Sequence, residues 1–401
     1  MKPHKSVLVL ASAHFLIDNY SSMLGAFLPF LRQSLNLTLA QAGVMGGVLV
    51  FSSSLMQPLY GYLADRSQSK LFAALAPGIA GLFIASLGLA PNFLTLLILL
   101  LMGGIGIAAF HPQGAAVTSE VAESDHGYQM SVFITGGMMG YALGPIFITS
   151  VIALAGLERS YWAALPGVAM SAYLLLYGPS PRRVELHARR LRFSQQLKSK
   201  IGPLLKLYFL VVIRSAIQIV FVSFLPIYMT TRGYTESAGS QTLTLFLLAG
   251  GTAGFLGGVL ADRFGGRRII AASMLGCLPM LLAFLWTRGP LSLLFCAAGG
   301  AFLLFTSPVN IVMAQKLVPE GASTVSALMM GFAWGMGGLI VPVVGILSDV
   351  FGLQSTMTGI VVLALPGFLL SIALPRQLDV PDKTPPAPTH EPASDLAAAA
   401  E

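Results

Sequence analysis

The chain has 401 residues, of which 55% are hydrophobic and 10% charged, with 23 Lys and Arg against 16 Asp and Glu and a formal net charge of +7. A soluble globular chain carries about 25% charged residues, so this composition, with a mean hydropathy of +0.78, excludes a soluble fold and implies a polytopic helical bundle in a bilayer. Whether the basic surplus reports nucleic acid or membrane topology depends on where those residues fall.

A bilayer-spanning helix needs roughly 20 mostly apolar residues. Apolar runs between polar breaks place helices near 6–31, 41–63, 71–90, 93–118, 127–155, 160–178, 204–230, 238–261, 268–287, 290–318, 322–348 and 354–375. Ahead of the first, Ala11-Ser12-Ala13 imitates a signal-peptidase site, but the apolar stretch before it is too short for a signal peptide. The first helix is expected to be retained.

That helix carries His14-Phe15-Leu16-Ile17-Asp18-Asn19. His14 and Asp18 are four apart and share one face. A charge at the centre of a membrane helix costs roughly 2.5–3.5 kcal/mol on insertion scales, so it persists mainly where it faces a polar cavity. Asp18 reads either as a proton-carrying carboxylate, with His14 beside it, or as a carboxylate permanently paired for assembly. Asn19 is a polar neighbour available to a substrate.

In the fourth helix, Phe110-His111-Pro112-Gln113 sets a titratable imidazole beside a proline that frees backbone groups mid-helix. This favours a cavity position for His111, with Gln113 as a second candidate substrate contact, over a purely structural histidine. The fifth helix holds Gly136-Gly137, Gly140 and Gly144-Pro145, whose spacing serves close helix packing or a functional motif. A basic, Pro-bounded break from 179 to 203 then reads as a cytoplasmic linker.

The seventh helix contains Arg214, a basic residue inside a span, with Gln218 one turn on. It is expected either to face Asp18 across a cavity or to rest on backbone carbonyls at a helix interface. Cys277 and Cys296 lie in apolar runs without metal spacing and read as packing residues. The tail from 376 to 401, with Pro-Pro-Ala-Pro and a run of alanines, is expected to be disordered.

Lys and Arg in the breaks divide 18 to 4 between the two faces, the larger share on the side of the termini. The positive-inside rule then puts both termini in the cytoplasm and accounts for the net charge without nucleic acid. No Walker loop, zinc spacing or nucleophile elbow is present, so neither an ATP-driven pump nor an enzyme is expected, and no cofactor or metal.

Gly61-Tyr62-Leu63-Ala64-Asp65-Arg66 returns as Gly258-Val259-Leu260-Ala261-Asp262-Arg263, an offset of 197. Pro29 with Pro226 and Pro145 with Pro342 keep the same offset, so the chain is read as a duplication. The Gly-x-x-x-Asp-Arg element, continued by Phe264-Gly265-Gly266-Arg267-Arg268, resembles the cytoplasmic signature of the major facilitator superfamily. That resemblance implies an all-α membrane protein of twelve transmembrane helices in two pseudo-symmetric six-helix bundles, 1–178 and 204–375. It also implies that Gly61, Asp65, Arg66, Gly258, Asp262, Arg263, Arg267 and Arg268 act at the gates.

His14-Phe15-x-x-Asp18 leading to Leu28-Pro29-Phe30-Leu31, with Gly103-x-x-Gly106-x-x-x-Phe110-His111-Pro112, resembles the fosmidomycin-resistance branch, proton-driven exporters of the phosphonate fosmidomycin and other compounds. The chain departs from that pattern at Gln113 and Val117 and lacks an Arg between Leu99 and Gly103. The resemblance implies a plasma-membrane (bacterial inner-membrane) antiporter that couples protons, through Asp18, His14 and Arg214, to export of a small amphipathic or anionic compound. A proton symporter importing a metabolite and a ligand sensor without turnover are the alternatives.

Overall fold

A computed structural model describes residues 3–67, 69–121, 126–179, 190–318, 325 and 328–375. Helices dominate, and no strand occurs among the described residues. In chain order they are α1 (Lys5–Leu35), α2 (Leu39–Val50 and Gln57–Ser67, joined through a π-turn Phe51–Leu55), α3 (Leu71–Ala85) and α4 (Phe93–Val121). Next come α5 (His126–Ala155), α6 (Leu165–Tyr177), α7 (Arg190–Thr231), α8 (Glu236–Phe264) and α9 (Gly266–Trp286). The last three are α10 (Pro290–Leu304 and Ser307–Leu317), α11 (a π-turn Leu328–Phe332, then Ala333–Gly338 and Val341–Phe351) and α12 (Leu353–Val362 and Ala364–Ile372).

Among the described residues, 11 of these are long and apolar enough to cross a membrane. The exception is α6, where the sequence suggested one helix over 160–178. A 3-10 run, Leu157–Ala164, precedes 13 residues of α-helix there, because Glu158, Arg159 and Ser160 occupy the first turns. With 2.0 Å of rise per residue in the 3-10 run and 1.5 Å in the helix, the pair still extends about 35 Å, enough for a hydrocarbon core of about 30 Å. Upstream of α7 the helix starts at Arg190, so the C-terminal half of the expected linker is helical. Residues 180–189 and the expected disordered tail, 376–401, lie outside the described residues.

Local chemistry sets the helix ends. Thr38 Oγ1 accepts from Gln41 N at 3.1 Å while Gln41 Oε1 accepts from Thr38 N at 2.9 Å, a capping box that starts α2. Asn36, at φ 51, turns the chain out of α1. Buried Cys277 and Cys296 are free thiols packed in their helices.

Glycines bring the helices together. Gly136, Gly140 and Gly144 of α5 lie on the backbone of Ala11, Phe15 and Asn19 of α1, so close that a Cβ at any of them would strike a carbonyl oxygen. Gly337 of α11 meets Val212 O of α7 at 2.7 Å from where its Cβ would stand, which repeats the Gly140–Phe15 contact at an offset of 197 in both helices. At the end of the molecule away from the termini, α2 packs on α11 and α5 on α8. Asp349 of α11 accepts from the backbone N–H groups of Leu39 (2.9 Å) and Ala40 (2.7 Å) there. Thr149 Oγ1 stands 2.6 Å from Ser240 Oγ at the same end.

Candidate functional site

Asp18 is the fourteenth residue of α1 and stands near the middle of that span, about 20 Å from Lys5. Its carboxylate is held between two imidazoles. His14 Nε2 lies 3.2 Å from Oδ2, and His111 Nε2 of α4 lies 3.1 Å from Oδ1. The i, i+4 relation expected from the sequence therefore forms, and α4 delivers the second histidine. Side-chain exposure is 18% for Asp18 and 25% for His111, so the cluster is sheltered but reachable.

Both rings are anchored from behind. His14 Nδ1 lies 2.9 Å from Phe133 O, and His111 Nδ1 lies 2.9 Å from Ile107 O. A carbonyl oxygen can only accept, so each Nδ1 carries a hydrogen. A neutral ring would then turn its Nε2 lone pair toward a carboxylate oxygen and repel it. The two contacts become attractive when a proton lies in each, on the nitrogen or on the oxygen. Each contact is thus a place where one proton could be shared between a ring nitrogen and a carboxylate oxygen. The trio's ligand atoms all fall within 4.8 Å of one another, a span that would also admit a small cation, with no fourth His, Cys, Asp or Glu joining them among the described residues.

Packing fixes this arrangement. The His14 ring stacks on Phe133 at 4.2 Å between centroids, and Phe110 lies 5.8 Å away. Gly137 leaves the room: a Cβ there would sit 2.5 Å from His14 Nε2 and 2.6 Å from Asp18 Oδ2.

The other expected site residues separate into three groups. Gln113 does not face a cavity as its sequence position suggested. Its Oε1 accepts from Ala73 N at 2.6 Å and its Nε2 donates to Ser69 O at 2.8 Å, so both ends of the amide are used at the start of α3. Asn19 points into the α1–α5 contact, donating to Gly140 O at 3.3 Å, with its Oδ1 buried and unpaired.

Arg214, 6% exposed near the middle of α7, does not reach Asp18. It donates through Nη1 to Ser307 Oγ (2.8 Å) and Gln218 Oε1 (3.3 Å), and its Nε has no partner. The repeat explains the miss. Gly25 lies against Val222 O in the α1–α7 contact, again an offset of 197, so Arg214 occupies the place of Ile17 and points about 100° away from Asp18's direction.

The third group lies at the helix ends. Gly61 packs on Pro112, with a Cβ there 3.3 Å from the proline Cβ, one residue from His111. Asp65 and Arg66 are in the helix that ends at Ser67, and their side chains lie outside the described set. Gly258 faces open space. Asp262 and Arg263 are exposed, with the Arg263 guanidinium 5.3 Å from the Phe264 ring centre. Arg267 donates to Ile372 O at 2.7 Å, tying α9 to α12, and Arg268 is exposed.

Sequence reading missed Ser307 and Asn310 of α10 and Asp349 of α11. A signal for the first existed: Gly103-Gly104 and Pro112 recur as Gly299-Gly300 and Pro308 at an offset of 196, which sets Ser307 in the place of His111. Asp349 carried none, since an acidic residue near a span's end is ordinary. A shallow surface recess between α2, α4 and α11 is lined by apolar groups such as Val48, Phe51 and Leu101 and offers almost no polar contact.

Comparison with known proteins agrees with this architecture. Residues 10–342 and 243–398 match the Major Facilitator Superfamily. The MFS-type transporter YfnC of Bacillus subtilis (strain 168) is 30% identical over 375 residues, 90% of this chain and 91% of that protein. The fosmidomycin resistance protein of Escherichia coli (strain K12) is 27% identical over 91% of each chain. In structure, a bacterial homolog of the human lysosomal transporter Spinster, inward-facing and occupied, superposes with a TM-score of 0.78 at 16% identity, covering 96% of this chain and 100% of that one. The chain belongs to the major facilitator superfamily and is a transporter rather than an enzyme.

Proposed function

We propose that the chain is a proton-coupled antiporter that exports a small amphipathic or anionic compound, with both termini in the cytoplasm of a bacterium whose inner membrane it spans. The halves 1–178 and 204–375 rock about the central path. The observation that carries the coupling is the Asp18 trio: a carboxylate at mid-membrane, flanked by two imidazoles whose Nδ1 atoms are already committed to backbone carbonyls. Loading or emptying its two contacts changes the charge of the cavity wall, which is the differential interaction an alternating-access cycle requires. His14 and His111 carry the protons with Asp18, and His111 stands where it can also meet the substrate.

In this topology the Asp349 and Thr149 contacts lie on the external side, so transport requires their release. The Gly61–Arg66 and Gly258–Arg263 signatures, with Arg267 and Arg268, govern the cytoplasmic side. Export is favoured over import by the names of relatives, a fosmidomycin resistance protein and the multidrug resistance protein MdtG of Escherichia coli (strain 55989 / EAEC), the latter 27% identical over 72% of this chain.

The test is proton uptake per substrate moved in proteoliposomes under an imposed pH gradient, using a panel of amphipathic and anionic compounds. Asp18→Asn should lose gradient-driven transport while downhill counterflow of substrate survives. A proton-to-substrate ratio equal to wild type in that variant would make Asp18 an assembly residue.

A further inference from the structure

The seventh and tenth helices hold a second polar cluster, one that the proton cycle does not use. Arg214 is a buried guanidinium at mid-span, with no carboxylate partner among the described residues and its Nε unpaired. Ser307, which takes its Nη1, is the first residue of a helix of 11 residues, because α10 breaks at Phe305 and Thr306. No side chain caps that helix start. One turn further, on the same face as Ser307, Asn310 is 1% exposed, and both its amide oxygen and its amide nitrogen lack a hydrogen-bond partner.

Each feature alone has a bland explanation, but together they describe a donor cluster of defined chemistry. A buried charge is normally paired, and a buried amide normally bonded. Here one guanidinium N–H and an amide NH2 remain unused beside the positive end of a helix dipole, and all three favour an acceptor bearing negative charge. Broken membrane helices whose free N-termini point at anionic groups are a recurrent way of holding such cargo. The donor geometry suits an oxyanion, since a guanidinium and an amide can share its oxygens.

We propose that Arg214, Ser307 and Asn310 form the subsite that receives the anionic group of the transported compound, a phosphonate, phosphate or carboxylate. Gln218 orients the guanidinium from behind by accepting from Nη1. This inference rests on the transporter reading above and narrows its cargo to anions. The apolar remainder of the compound then lies toward the other half, between the subsite and the Asp18 trio.

The experiment is equilibrium titration calorimetry at fixed pH, without a gradient, on the full chain in nanodiscs of neutral phosphatidylcholine. The probes are phenylphosphonate, benzoate and uncharged benzamide. Both anions should bind at least about tenfold more tightly than benzamide. Arg214→Gln should weaken the anions by about tenfold or more and leave benzamide unchanged, with Arg214→Lys intermediate. Asn310→Ala should weaken the anions severalfold, and because Asn310 has no partner to lose, that variant keeps the fold testable. Equal binding of anions and benzamide, or anion affinity indifferent to both Arg214→Gln and Asn310→Ala, would overturn the proposal.

Nanodiscs containing phosphatidylglycerol supply the second arm. If that lipid suppresses anion binding in wild type but not in Arg214→Gln, a headgroup phosphate owns the subsite and its assignment to cargo is wrong. Loss of proton coupling leaves these affinities untouched, and loss of anion preference leaves the proton ratio untouched, so the two readings fail separately.

Discussion

The two halves of the molecule make one helix contact twice and then diverge within a turn. Gly140 rests on Phe15 of α1, and Gly337 rests on Val212 of α7, at the same offset of 197. Three residues before these glycines, the first half has Gly137 and the second has Trp334. The small residue admits the His14–Asp18 pair, whereas the large one fills the corresponding space and meets Tyr141 edge-on at 6.4 Å. On the neighbouring helices, His111 and Ser307 both precede a proline. His111 faces a carboxylate and Ser307 a guanidinium. A duplicated frame thus holds two chemistries, a carboxylate between two imidazoles in one half and, in the other, a guanidinium without a carboxylate partner among the described residues. In the proposed cycle that asymmetry is what would let one half respond to protons and the other to an anionic cargo.

The strongest way to break the comparison is to make the halves alike. His111→Ser, which places the second half's residue in the first, should reduce gradient-driven flux by about 100-fold while counterflow stays within a fewfold of wild type. Flux assays in proteoliposomes with and without a pH gradient read this directly. Retention of driven flux would show that the hydroxyl serves as well and that the imidazole is structural.

Gly137→Ala asks whether the space matters. Its methyl would have to displace the His14 ring or the Asp18 carboxylate, and driven flux should drop by about thirtyfold, with the pH–rate profile displaced. An unchanged profile would mean that the trio is looser than its contacts suggest.

At the far end of the molecule, Asp349→Asn weakens two charge-assisted bonds to α2. Hydrogen bonds to charged groups contribute about 1.5–3 kcal/mol each, so thiol labelling of a cysteine placed at Ala40 should rise about tenfold. An unaltered labelling rate would remove Asp349 from the set of contacts holding that end closed.

The smallest effect belongs to Gln113. Its substitution by Ala removes two bonds to the start of α3 and should lower the melting temperature by about 2–4 °C. Substrate affinity and the pH profile should not move; a shift in either would return Gln113 to the transport path.

The sequence made the helices legible because runs of apolar residues leave little alternative to a span, and it made Asp18 and His111 legible because polarity at mid-membrane is costly. The pairing of Asp18 with His14 followed from helical spacing, whereas the arrival of His111 from α4 did not. Direction around a helix was harder. An error of one position at Arg214 turned a supposed countercharge to Asp18 into a residue of another cluster, because each residue advances about 100°. Gln113 looked like a cavity residue because it follows His111-Pro112. Its long side chain instead reaches a backbone 40 residues away, which no local pattern reveals. Asn310 stayed silent because hydroxyls and amides are tolerated in membrane helices far more readily than charges, and Ser307 was marked only by the repeat at an offset of 196.

Helix α5 touches both the trio and the contact between halves, and its mechanics follow. Phe133, whose carbonyl holds the His14 ring, and Thr149, which meets Ser240 of α8, lie on either side of the glycine ladder centred on Gly140. With 1.5 Å of rise per residue, the ladder's centre is about 10 Å from Phe133 and about 14 Å from Thr149. The helix is then a lever with a fulcrum where it bears on α1. A tilt that moves the Phe133 end by about 1 Å swings the Thr149 end by about 1.3 Å in the opposite sense, enough to separate a pair of hydroxyls now 2.6 Å from each other.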